Sequence, residues 1–210
     1  MLSKMASAAL LIFAAAGCFA ADYSADFADR WAADHECGKI LQAALPPKRA
    51  ALLVVNGRKV KTVWVRTVDT EDTRENGLMC RRLDSDEGML FAFDKPEASG
   101  VWMYQTYIPL TIAFLDEERR VIDLTRQEPC VLGTGESNVE WMNRCHHRLY
   151  KPKSPNKYML EVLPGLADEA GIKIGDQLSF EWTRGDESHP ASKTRKAIEG
   201  SAVAPRFDGR

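Results

Sequence analysis

The stretch ALLVVNGRKVKTVWV at 51–65 sets an Asn-Gly pair between two runs rich in β-branched and apolar residues. Asn and Gly tolerate the positive φ angles of a type I′ turn, which reverses the chain with the twist that paired strands need. Beyond the turn, Val60, Thr62 and Trp64 alternate with Lys61, Val63 and Val65, the period of two that gives a strand two distinct faces. This part of the chain is therefore a β-hairpin. Further strands are expected at 88–93, 101–105, 110–116, 121–124, 158–163 and 177–183. The charged turn EERR at 117–120 joins the third and fourth of these. Helical patterning is confined to 27–45, which ends at Pro46-Pro47, and to 166–171, where Gly171 closes a short helix before the Gly175-Asp176 turn. Many short strands with few helices make an all-β sandwich or barrel.

The first residues belong to targeting rather than to the fold. Lys4 precedes an apolar run, 6–16, that is followed by Gly17, Cys18, Phe19 and Ala20. This is the pattern of a secretory signal, and the run is shorter than the roughly 20 apolar residues a bilayer span requires. Cleavage after Ala20 would start the mature chain at Ala21, giving a periplasmic or secreted protein. The alternative is lipid anchoring at Cys18, although AAGC at 15–18 lacks the Leu usual in a lipoprotein signal. Removing 20 residues from 210 leaves enough chain for one domain with a core. The expected organisation is a signal peptide at 1–20, a helical extension at 21–50, a β domain at 51–183 and a polar, disordered tail at 184–210. No second apolar run follows, so no transmembrane segment is expected in the mature chain. The 28 basic and 30 acidic residues give a net charge of −2 without a dominant block, which argues against a nucleic-acid partner.

Export agrees with cysteine use. Cys37, Cys80, Cys130 and Cys145 remain after removal of Cys18, an even number suited to an oxidising compartment. Cys130 and Cys145 bracket a Gly, Ser and Asn stretch that burial cannot organise. A bridge there is the first expectation, with a gain of about 3 kcal/mol by loop entropy, and Cys37–Cys80 is the residual pair. The rival reading takes HEC at 35–37 and CHH at 145–147 as metal ligands. Their spacing is irregular, and neither a metal nor a cofactor is expected.

Several phrases in order resemble a known family: RENGLMCR at 74–81, GMLFAF at 88–93, WMYQTYIPLTIAFLD at 102–116, YMLEV at 158–162 and GIKIGD at 171–176. Together they are similar to domain of unknown function 192. The resemblance implies a compact jelly-roll-like β domain, found in exported and non-exported bacterial and archaeal proteins, with no established activity. The fold expected is thus mainly β, a single jelly-roll-like β-sandwich or barrel with short helices. Where the family usually reads WMKNT and IPLDI, this chain has Tyr104 and Gln105 in place of Lys and Asn, and Thr111 in place of Asp. Any polar site built from those groups has lost both charges.

Two function classes follow. The first is a non-catalytic binding module whose ring faces come from Trp102, Tyr104 and Tyr107 and whose hydrogen bonds come from Arg74, Gln105, Thr106 and Thr111; a small molecule, glycan or peptide suits such a surface. The second is a glycan hydrolase with Glu87 and Asp116 as paired carboxylates. A thioether site for copper(I) from Met79, Met89 and Met103 is a further alternative, set against the expectation that these side chains fill the core.

Overall fold

The computed structural model describes residues 36–183. The expected signal segment, the first part of the expected 27–45 helix (27–35) and the tail lie outside those residues; of the rest of that helix, Cys37–Gln42 is helical. Within them the chain is mainly β, as expected. Seven strands form one mixed sheet in the order β5-β4-β6-β3-β2-β1-β7: β1 Arg49–Val55, β2 Arg58–Val68, β3 Glu87–Glu97, β4 Leu110–Leu115, β5 Val121–Gln127, β6 Asn156–Val162 and β7 Leu178–Trp182. Four short helices accompany it: α1 Cys37–Gln42, α2 Glu71–Asn76, α3 Asn138–His146 and α4 Pro164–Ala170.

The hairpin forms where the Asn-Gly pair places it. Asn56 and Gly57 have φ of 50° and 76°, the two positive angles of the type I′ turn, and β1 pairs antiparallel with β2. Because β2 and β3 are parallel, a crossover must join them, and α2 supplies it. That helix begins at a Thr70–Thr73 capping box, which satisfies otherwise orphaned backbone donors. At the other end of the sheet α4 starts with Pro164 and ends at Gly171, φ 66°, the left-handed cap its sequence implies.

Edge strands β5 and β7 approach one another without closing the sheet. Arg120 and Gln177 make an isolated antiparallel bridge, reinforced by Val121 N–H to the Asp176 carbonyl, 2.8 Å, and Leu178 N–H to the Arg119 carbonyl, 2.9 Å. The Asn56 side chain locks into the same corner. Its amide donates to Asp176 Oδ1 at 2.6 Å and its oxygen accepts from Gln177 N at 2.8 Å. Asn56→Ala loses both bonds and the left-handed preference, and is expected to cost about 2 kcal/mol. Asn56→Gly keeps the turn and should cost about half as much. Urea midpoints of the two variants would check this, and equal losses would show that the side-chain bonds contribute nothing.

The middle of the sheet is covered on both sides, and β4 is buried at all six positions. Alternation sends Met89, Phe91, Ile112, Phe114 and Met159 into one core, which α1, α3 and the segment 101–108 cover. Ala113, Leu115, Leu160 and Val162 enter a second core inside the curl of the sheet, where they meet Val63 and Val65 of β2, Leu53 of β1 and Leu166 of α4. Each large apolar side chain so buried contributes about 1.5–3 kcal/mol. Met89 and Met103 belong to the first core, whereas Met79 is half-buried.

Two local expectations are corrected. Residues 101–105 are not a strand; they form a connection that touches its neighbours through single bridges, Val101 to Tyr150 and Tyr104 to Cys130. Alternating apolar residues there face a core without a ladder partner. The stretch between Cys130 and Cys145 is not merely a loop either, because its second half is α3. A Ser137–Glu140 capping box starts that helix, and Trp141 is fully buried.

Candidate functional site

Both expected disulfides are present, Cys37–Cys80 and Cys130–Cys145, with Cα atoms 5.4 and 5.8 Å apart. Between them runs the segment 101–108. On one side Cys80 N–H donates to the Gln105 carbonyl at 2.6 Å, and on the other Tyr104 bridges Cys130. Each disulfide therefore holds one edge of the same stretch of chain. Gln105 and Cys80 both take left-handed φ angles, 53° and 57°, a conformation that Asn adopts more readily than Gln. Gln105 is held in this conformation by its surroundings at some cost in strain.

On this clamped segment the aromatic residues come together. The Trp102 and Tyr104 rings lie 5.2 Å apart, and Tyr104 packs at 4.6 Å on Trp141. Exposed His146 meets Trp102 edge-on at 6.0 Å. Trp141 is anchored from below, its indole N–H donating to the Cys130 carbonyl at 2.7 Å. Trp102 and Tyr104 are half-buried, so each keeps a partly accessible ring on a base that cannot easily move. His146 and Trp141 join this strip from α3, a contribution that the sequence analysis did not anticipate.

The remaining expected site residues are distributed elsewhere. Gln105, Thr106 and Tyr107 are buried beneath the strip; the Thr106 hydroxyl donates to the Tyr104 carbonyl at 3.4 Å, and Tyr107 stands 6.5 Å from Trp141. Thr111 is paired with Val162, on the face of the sheet opposite to Ile112, and its buried hydroxyl has no hydrogen-bond partner among the described residues. Arg74 belongs to α2, where its guanidinium lies over Phe93 at 5.2 Å and donates to the carbonyls of Asp69 and, at 3.0 Å, Ala92. It ties α2 to β3 and does not reach the strip's ring cluster.

Glu87 and Asp116 do not face each other. Glu87 begins β3, buried, in an ion pair with Lys48 and accepting the Asp84 N–H at 3.1 Å. Asp116 follows β4 and accepts the Arg120 N–H at 2.7 Å inside the β4–β5 turn. Strand registers through β6 put Glu87 level with the start of β4, so the two carboxylates are separated by roughly 20 Å along the sheet. A glycosidase pair needs about 5–10 Å.

Among the described residues, Glu161 has the most perturbed environment. It lies in the central strand β6 between Met89 and Ile112 and is only 4% exposed. No hydrogen bond or ion pair reaches its carboxyl from another described residue. Burial alone pushes it up to about 8, because a carboxylate among these side chains would lose its hydration. Glu161 is therefore predominantly protonated at neutral pH.

A broad open hollow of about 540 Å³ lies beside the Cys130–Cys145 loop, lined by Val131, Gly133, Thr134, Glu136, Glu140 and Arg144 among others. Its charged groups are already matched. Arg144 grips Glu136 through Nε at 2.7 Å and Nη2 at 2.6 Å, and donates to the Val131 carbonyl at 2.7 Å. That clasp and the Gly133 N–H hold the Glu136 carboxyl down to about 2. The arrangement stiffens the loop. Among the described residues no group of three His, Cys, Asp or Glu side chains is arranged to hold a metal ion.

Known proteins resemble this chain. A UPF0127 protein of Thermococcus sibiricus is 29% identical over 136 residues, which span 61% of this chain and 75% of that protein. A crystal structure of a protein from Sinorhizobium meliloti 1021 covers 66% of this chain and 96% of its own, at 26% identity and a TM-score of 0.49. A protein of unknown function from Novosphingobium aromaticivorans covers 67% of this chain and 95% of its own, at 24% identity and the same TM-score. Residues 51–180 match the model of DUF192, Uncharacterized ACR, and since that match runs through all seven strands but for the outer ends of β1 and β7, the chain belongs to this family.

Proposed function

We propose that this protein is an exported, non-catalytic binding module that takes a saccharide or peptide ligand on the ring faces of Trp102 and Tyr104. The observation that carries the reading is the half-exposed ring pair on a segment held between two disulfides. A rigid aromatic surface loses little conformational entropy on binding, so more of the contact energy remains for affinity. Export is supported by the basic and apolar residues at 4–16 and by the two disulfides, which persist in oxidising compartments. A hydrolytic role finds no support in the positions of Glu87 and Asp116.

The test is a titration of isotope-labelled protein with chitohexaose and with short peptides, following the Trp102 indole resonance. Binding should move that resonance, and Trp102→Ala should weaken affinity by about tenfold or more, as expected for an aromatic anchor. Saturating ligand that leaves the indole unmoved, or a Trp102→Ala variant that binds as the parent does, would count against the surface.

A further inference from the structure

The connection from α3 to β6 reads HHRLYKPKSPNK at 146–157 and holds Arg148, Lys151, Lys153 and Lys157 without one carboxylate. In a chain of net charge −2 this is a local concentration of positive charge. Lys157 is engaged, donating to the Asp94 carbonyl at 2.6 Å. The side chains of Arg148, Lys151 and Lys153 are exposed and make no hydrogen bond or ion pair with another described residue. Arg148 is near enough to Glu136 to help lower its pKa, so within this connection Lys151 and Lys153 are the cations least compensated by the described residues.

These charges do not hang from a loose loop. Val101 and Tyr150 exchange both backbone hydrogen bonds, 2.8 and 2.9 Å, joining the cationic connection to the aromatic segment. Buried Asp123 fixes it from beneath, accepting from the Tyr150 hydroxyl at 3.0 Å and from Lys153 N–H at 3.2 Å. Val101 is buried and the Tyr150 hydroxyl is drawn in to Asp123, while next to them Trp102 is half-buried and Lys151 exposed. The Leu149 side chain lies over Gly100 at this bridge and forms the apolar floor between Trp102 and the lysines. Buried Pro152 favours an extended backbone at Lys151, and Lys151 and Lys153 on either side of it are both exposed. His146 stands against Trp102 at the same edge.

We infer that Trp102 and the cationic connection 148–153 form one surface for an anionic polysaccharide, a chain of uronate-type sugars whose rings stack on Trp102 and whose carboxylates meet Lys151, Lys153 and Arg148. This rests on the binding-module reading and narrows its ligand. Charge complementarity selects the polyanion. The ring, held between Tyr104 and His146, offers a flat stacking face rather than a side chain free to insert into a bilayer, which favours a glycan over a lipid surface.

The experiment titrates the full chain with a hexamer of galacturonate, with neutral chitohexaose and with vesicles of phosphatidylglycerol, reading the Trp102 indole and the heat of binding. The uronate should bind best, and its affinity should fall about tenfold between roughly 0.05 and 0.5 M NaCl, as salt screens exposed charges. Lys151→Ser with Lys153→Ser should weaken uronate binding by about tenfold, leave chitohexaose binding unchanged and leave the melting midpoint where it was. Trp102→Ala should weaken both glycans. Equal affinity for the two hexamers, unaffected by the lysine changes, would overturn the anionic preference while leaving the binding module standing. Binding of vesicles alone would overturn the glycan assignment, and failure of both glycans to move the Trp102 indole would defeat the saccharide readings together.

Discussion

Glu161→Gln should remove a large part of the stability that this protein loses as pH rises from about 4.5 to about 8. The parent carboxyl titrates at about 8 in the folded state against 4.5 when unperturbed. Between those values the native protein holds a proton that the unfolded chain has released, so stability falls as pH rises. The sign follows directly: the contribution is fully present below about pH 4.5, is lost progressively, and is gone once pH passes the folded value. A shift of this size corresponds to something on the order of 5 kcal/mol, a large part of the stability of an ordinary domain. Gln has nearly the same shape and cannot ionise. At pH 4.5 parent and variant should differ by only about 1 kcal/mol, because each buries one poorly satisfied polar group. At pH 8.5 the variant should be the more stable by several kcal/mol. Urea midpoints at both pH values decide the matter, and parallel pH profiles for the two proteins would show that Glu161 gains hydration or a partner on ionising.

The same residue shows why part of the site was not legible in the sequence. In YMLEV at 158–162 there are apolar residues at both parities, so alternation does not say which face Glu161 takes. Only the pairing with Met89 and Ile112 does. Thr111 poses the same difficulty one strand away, where β4 is buried on both faces and its period of two vanishes. By contrast the Asn56-Gly57 hairpin, the Gly171 cap and the pairing of cysteines follow from local geometry and number, and the structure contains all three. The α3 helix was within reach, since Ser137 and Glu140 stand at capping-box spacing, but the Gly and Ser composition around them argued for a loop. Trp102 and Tyr104 were recognisable as a pair two residues apart. Their partners Trp141 and His146 come from some forty residues further on, brought in by the Cys130–Cys145 staple and by burial of Trp141, and no periodicity reports that contact.

Loss of the Cys37–Cys80 bridge should damage the protein more than loss of Cys130–Cys145. The sequence separations are 43 and 15 residues, and loop entropy assigns about 4 and about 3 kcal/mol to them. The difference should widen for a structural reason. Helix α1 has six residues, no side-chain cap and one buried residue, Cys37 itself; among the described residues its ties to the body are the bridge, the partly buried Ile40 and Leu45 that pack on the core, and the bonds accepted by its flank. Those bonds matter to the core. The Pro46 carbonyl accepts from Arg66, the Ile40 carbonyl accepts from Arg81 at 3.3 Å, and Lys48 makes the ion pair with buried Glu87. Releasing the segment withdraws a cation from a buried carboxylate, a costly change in a low-dielectric site. Cys80 also fixes the Gln105 edge of the aromatic strip. Serine replacements of Cys37 and Cys80 are therefore expected to lower stability by at least about 4 kcal/mol, to speed amide exchange at the start of β3 and to mobilise Trp102. In the Cys130→Ser, Cys145→Ser protein the start of β3 should remain protected, because that bridge touches the strip from the side of α3. Denaturant midpoints and hydrogen exchange on the two double variants separate these outcomes. If the shorter loop proves the costlier to open, or β3 stays protected without Cys37 and Cys80, the α1 segment is held by contacts other than its disulfide.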